Sequence, residues 1–151
     1  MHLEAETTIE RPPSDVFDYL ARAERLPEYI DEFESVSQAS PGEPAQGTEY
    51  SYKMKRGAEG TFRWTEFEPG SKLAWHGPPA KQGPGSMEPS GLWELSDEGG
   101  GTRLKLVMTP KPGGLFILFA PLMSVQMRRG NAQALERLKQ RLESGDGAAA
   151  A

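Results

Sequence analysis

Six stretches of this 151-residue chain alternate between apolar and polar residues, and one long stretch near the C-terminus repeats instead at helical period. That pairing constrains the fold more than any other feature. Strands with a single apolar face demand a cover, and the long segment is the only element able to supply it. Leu3, Ala5, Thr7 and Ile9 alternate with His2, Glu4, Glu6 and Thr8. Tyr50, Tyr52 and Met54 alternate with Glu49, Ser51, Lys53 and Lys55, and Phe62 and Trp64 with Thr61, Arg63 and Thr65. Leu73 and Trp75 alternate with Lys72, Ala74 and His76, and Trp93 and Leu95 with Leu92 and Glu94. Leu104, Leu106 and Met108 alternate with Arg103, Lys105, Val107 and Thr109. Such strands suit an antiparallel sheet covered on one side and wet on the other, and their turn-bounded spacing predicts a meander of hairpins.

Helical period appears in three places. After Pro12-Pro13, which suit a first helical turn, Val16, Phe17 and Leu20 form one stripe. Pro27 opens a second short helix in which Leu26, Tyr29, Ile30 and Phe33 fall at i, i+3, i+4 and i+7. The third segment runs from Leu115 to Glu143. Met123, Met127, Asn131, Ala134 or Leu135, Leu138 and Leu142 trace one face of it, and Arg128, Arg129, Glu136, Arg137, Lys139 and Arg141 the others. Pro121 either kinks this helix or marks its true first turn, leaving Leu115–Ala120 as a separate apolar turn. Gly and Pro cluster between patterned segments at Pro41–Pro44, Pro69-Gly70, Gly77 to Gly85, Gly99–Gly101 and Lys111 to Gly114, which read as turns and loops. The expected fold is α+β: a curved antiparallel sheet of six to seven strands around a long C-terminal helix, with two short helices after strand 1. One domain over residues 1–144 and a disordered tail over 145–151 complete the expectation.

Composition removes whole classes of chemistry. There are no cysteines, which excludes disulfides, thiolate zinc sites, iron–sulfur clusters and a cysteine nucleophile. Two histidines, His2 and His76, exclude a histidine-rich metal cage. With 17 Lys+Arg against 22 Asp+Glu the net charge is -5, which argues against nucleic acid as a partner. Met1–Glu10 does not read as a secretory signal, and no run approaches the roughly 20 apolar residues a membrane span needs. A cytoplasmic protein is the expectation. No GxSxG elbow, P-loop or GxGxxG is present, and Gly99–Gly101 reads as a hairpin tip, so neither a metal nor a nucleotide cofactor is expected.

A twisted sheet curling around one helix leaves a space that is hard to fill, and a cavity is the natural consequence. The alternation points Tyr50, Tyr52, Met54, Phe62, Trp64, Trp75, Trp93, Leu95, Leu106 and Met108 inward from the sheet. Met123, Met127 and Asn131 face them from the helix. Large aromatics fill any core, yet Tyr and Trp carry polar handles that a pocket can use to orient a guest, and methionines make an adaptable wall. Asn131 interrupts the apolar stripe and is the best single polar candidate. Few reagents are available. Glu66 shares parity with Phe62 and Trp64 and could aim a carboxylate inward as a general base, although solvent, Arg63 or Lys72 also compete for it. His76 alternates out of phase with Leu73 and Trp75 and reads as solvent-facing. The run Leu115–Leu122 either packs under the sheet and the short helices or forms an apolar mouth for transient contact with a membrane or carrier, with Lys111, Arg128 and Arg129 nearby.

Pro12-Pro13-Ser14-Asp15-Val16-Phe17-Asp18-Tyr19-Leu20, followed by Leu26-Pro27-Glu28-Tyr29-Ile30, resembles the opening of the polyketide cyclase/dehydrase and lipid-transport family, the START-like, SRPBCC helix-grip proteins. Trp64–Trp75, Gly100–Leu104 and Leu135–Lys139 fit the same pattern in the same order, so the resemblance spans about residues 2 to 143. It implies a deep pocket between sheet and C-terminal helix for an apolar or aromatic small molecule, and it brings no universal catalytic motif. Three functions follow as expectations. The first is binding or transport of a lipid, quinone or polyketide-like aromatic. The second is a cyclase, aromatase or dehydrase working in the same cavity, with Glu66, His76 or a tyrosine moving protons. The third is a protein-interaction module or toxin-type partner that uses an open sheet edge.

Overall fold

A computed structural model of the chain describes residues 1–145. A seven-stranded antiparallel sheet is built from β1 (Leu3–Ile9), β2 (Phe33–Gln38), β3 (Glu49–Met54), β4 (Glu59–Glu68), β5 (Lys72–His76), β8 (Ser90–Glu98) and β9 (Gly101–Met108), in the order β1-β9-β8-β5-β4-β3-β2. A smaller sheet joins β6 (Ala80–Gln82), β7 (Gly85–Glu88) and β10 (Lys111–Gly114) in the order β10-β7-β6. Helix α1 (Pro13–Ala21), a 3-10 turn at Ala23–Arg25 and α2 (Leu26–Tyr29) carry the chain from one edge of the large sheet to the other. Helix α3 (Phe116–Glu143) lies along β1, touches β10, β7 and α2, and completes the curled half-barrel. This is the α+β arrangement expected from the alternation and the helix-grip fold the resemblance implies.

Local chemistry explains the boundaries. Pro13 occupies the first turn of α1, where its missing N–H costs nothing, and the helix buries Val16, Phe17, Tyr19, Leu20 and Ala21. The β8–β9 hairpin turns at Gly99 and Gly100, both at positive φ, and Asp97 accepts the Gly100 N–H at 3.1 Å. The Gly-rich run is therefore the hairpin tip its sequence suggested. Helix α3 is continuous through Pro121, with no separate apolar turn before it.

Two expectations need correction. The second short helix stops at Tyr29 and does not reach Phe33, which opens the edge strand β2 and pairs with Met54. Ile30 and Phe33 satisfied a helical spacing by coincidence, because the residues between them leave helical conformation before the next turn is complete. The segments Gly77 to Gly85 and Lys111 to Gly114, read as loops, contribute the small sheet. Its three- and four-residue strands are too short to show an apolar alternation, and Pro112 is tolerated because β10 is an edge. Of the residues read as a disordered tail, Gly145 ends the last turn after α3, and 146–151 lie outside the described residues.

Candidate functional site: the inner face of the sheet

Register places the inward side chains in rows across the strands. One row is Leu3, Met108, Gly91, Trp75 and Trp64, and the next is Ala5, Leu106, Trp93, Leu73 and Phe67. A third holds Thr7, Leu104 and Leu95. Burial divides this face into two parts. Tyr50, Phe62, Trp64, Trp93, Leu95 and Leu106 are closed into one core with α1 and with Ala134, Leu135, Leu138 and Leu142 of α3. Tyr52, Met54, Trp75 and Met108 are only half-buried, as are Met123, Met127 and Asn131 on the helix.

The closed part is tied down. Phe17 of α1 meets Phe67 edge-on with ring centroids 5.0 Å apart. Tyr50 stacks on Phe62 at 5.3 Å and donates its hydroxyl to the carbonyl of Ala21 at 3.0 Å. Burial raises the Tyr50 phenol above its ordinary pKa, with the Trp64 indole pulling the other way. That indole lies near the phenol without a hydrogen bond of ordinary geometry: Trp64 Nε1 is the one buried side-chain nitrogen or oxygen lacking a partner among the described residues.

The half-buried part is built on two glycines. A Cβ at Gly91 would stand 2.2 Å from the Trp75 ring, and one at Gly60 would stand 2.5 Å from the Tyr52 hydroxyl oxygen. Both rings therefore lie across the neighbouring strand, where only a hydrogen leaves room. Rings run without a break from Phe33 to Tyr52 (5.8 Å), Tyr52 to Phe62 (6.1 Å) and Phe62 to Trp64 (5.6 Å), and Trp75 and Trp93 form a second pair at 6.3 Å. The Tyr52 hydroxyl has no hydrogen-bond partner among the described residues. Burial alone raises its pKa, so at neutral pH it stays a protonated donor.

The two reagent candidates sit elsewhere. A β-bulge in β4 inserts Thr65 between the Trp64–Trp75 and Glu66–Ala74 pairs, which inverts the parity of everything after Trp64. Phe67 takes the inward place and Glu66 is exposed, its Oε2 3.9 Å from Lys72 Nζ. The bulge is why simple alternation aimed Glu66 inward. His76 is exposed and its Nε2 lies 3.0 Å from Glu88 Oε2. Among the described residues no three His, Asp or Glu side chains are grouped to hold a metal ion. Sequence reading passed over Gly60, Gly91, Phe33 and Phe67. An isolated glycine inside a strand pattern was the available signal for the first two.

A curled antiparallel sheet gripping one long helix, with an aromatic and methionine inner wall, defines a helix-grip protein. The chain belongs to the polyketide cyclase/dehydrase and lipid transport family, whose model matches residues 1–143. Among solved structures it is similar to TTHA0849 from Thermus thermophilus, at 20% identity and a TM-score of 0.79, over 96% of this chain and 99% of that one. It is similar to a conserved protein from Geobacillus kaustophilus at 11% identity and a TM-score of 0.78, over 96% and 97%. It is also similar to the Zhui aromatase/cyclase from Streptomyces sp. R1128 at 15% identity and a TM-score of 0.76, over 96% and 94%. At these identities the likeness is one of fold. No curated protein matches the chain. Among the described residues no helix is long and apolar enough to cross a membrane.

Proposed function

We propose that residues 1–144 act as one domain that holds a hydrophobic small molecule between the half-buried end of the sheet and the N-terminal half of α3. A lipid, a quinone or a polyketide-like aromatic fits that wall. The observation that carries this reading is the division of the inner face. Tyr52, Met54, Trp75 and Met108 keep part of their surface unburied although they share strands and parity with fully closed neighbours. A folding chain gains from closing such surface, so leaving it open points to a guest that completes the core. Trp75 and the methionines supply apolar contact, while Tyr52 and Asn131 supply polar handles. Membership of a family described by cyclisation, dehydration and lipid transport supports the same choice. The cytoplasmic setting expected from the sequence belongs to this reading.

Native mass spectrometry after gentle purification should find an apolar guest, and an environment-sensitive dye should bind and be displaced by it. Trp75→Ala should weaken dye binding about tenfold or more, as loss of a central aromatic anchor does. Absence of any guest and of dye binding in the wild-type chain overturns the proposal. A second reading is cyclase or aromatase chemistry in the same place, favoured by the unpartnered Tyr52 donor and by the likeness to an aromatase/cyclase. Turnover of a poly-β-ketone that is unchanged in Tyr52→Phe removes that reading.

A further inference from the structure

Helix α3 carries apolar residues on two opposite faces in its first half. Phe116, Ala120, Met123 and Met127 face the sheets, and the Phe116 ring lies against Gly85 of β7. Leu118, Leu122, Val125 and Arg129 follow at i, i+4, i+7 and i+11 on the outward side. Leu118 is 73% exposed, Ile117 61% and Leu122 60%, with Leu115, Phe119 and Val125 close behind. Five large apolar side chains on the helix, with Leu115 at its N-cap, form a patch of the kind soluble surfaces avoid unless something covers it.

The surrounding charge selects what covers it. From Gly99 to Leu135 the chain has no Asp or Glu, in a protein that carries 22 of them. Lys111, Arg128 and Arg129 border the patch, are exposed, and make no ion pair among the described residues. Two acids stand beside this region: Glu88, across from Lys111 in the sheet but engaged by His76, and Glu32, which lies beside Gly130. A two-fold contact with a second copy would bring the same cations together with no carboxylate in the patch to receive them. An apolar stripe rimmed by free cations instead matches a helix lying in the headgroup layer of an anionic bilayer. We infer that the first half of α3 docks on anionic lipid, with Leu118, Leu122 and Phe119 inserted and Arg128, Arg129 and Lys111 at the phosphates. This surface is separate from the inner wall, and its test does not need the guest to be known.

The experiment is co-sedimentation of the full chain with vesicles of phosphatidylcholine, alone or mixed with phosphatidylglycerol. Binding to the mixed vesicles should exceed binding to the neutral ones and should weaken as salt rises. Arg128→Gln with Arg129→Gln should lose roughly fivefold per arginine. Leu118→Ser with Leu122→Ser should lose about tenfold or more, from two inserted side chains. Both pairs are exposed, and unchanged circular-dichroism melts confirm the fold. Equal partitioning on neutral and anionic vesicles, or variants that bind like the wild type, overturns the inference. So does sedimentation equilibrium showing a dimer that the leucine pair dissolves, with no binding to vesicles.

Discussion

Between Ala134 and Glu143 helix α3 is fastened at almost every turn, whereas between Leu115 and Val125 little holds it. In the C-terminal half Leu135, Leu138 and Leu142 are buried in the core, and polar contacts surround them. Glu143 accepts the Glu10 N–H at 2.9 Å, Arg11 donates to the Leu142 carbonyl at 2.9 Å, and Lys139 reaches the Thr8 carbonyl. Arg141 donates to both the carbonyl and the carboxylate of Glu28 at 3.0 Å, which fixes α2, and Arg137 pairs with Asp31. In the N-terminal half the Leu115 N–H meets the Pro84 carbonyl at 3.3 Å, and Ser124 donates within the helix to the Pro121 carbonyl at 2.8 Å. Pro121 itself offers no N–H to the ladder. One helix is thus anchor at one end and loosely held roof at the other. The proposed guest site and docking face both lie in the half where less stability is stored.

The largest test of this contrast is a pair of truncations. Leu138→Ala should cost about 2–5 kcal/mol in urea denaturation, while Leu122→Ala should stay within about 0.5 kcal/mol. Comparable losses at the two sites would break the comparison. Gly91→Val should drive a side chain into the Trp75 ring and cost roughly 1–3 kcal/mol, with a visible change in indole fluorescence. Next come the two tyrosines. Tyr50→Phe strands the Ala21 carbonyl and should cost about 0.5–1.5 kcal/mol, whereas Tyr52→Phe, whose hydroxyl has no protein partner, should leave the melting temperature nearly unchanged and alter guest binding.

The smallest effect is a pH dependence at the anchored half, which the Glu4–Lys105 pair between β1 and β9 shares. The Glu143 carboxyl is held below its ordinary pKa, first by the Glu10 N–H and then by Lys139, and Asp31 is lowered by Arg137. A lowered folded pKa means the stabilising contribution is complete above the unfolded value, about 4, and disappears as pH falls through the folded one. Amide exchange at the C-terminal end of α3 should therefore quicken on acidification, and Glu143→Gln should flatten that dependence. Both carboxylates are exposed, so the change is modest.

Much of this architecture was legible in advance, because strand alternation and helix period are local consequences of having one face to bury. Leu104–Leu106–Met108 and Leu135–Leu138–Leu142 needed no tertiary information to be placed inward. The bulge at Thr65 was not legible, since one inserted residue changes pairing without changing composition, and it alone decides that Glu66 faces water while Phe67 faces Phe17. Nor was the small sheet, whose three- and four-residue strands are too short to carry an apolar pattern. What the amino-acid order determined by itself was the six alternating strands and the long helix, their sequence along the chain and the side each must bury, because hydrophobic burial acts on every short segment separately. What the tertiary structure decided was which inward residues are sealed and which stay half-open. That outcome depends on where one long helix is clamped, and the clamps join Glu10, Arg11, Glu28 and Asp31 to residues more than a hundred positions away, beyond the reach of any local pattern.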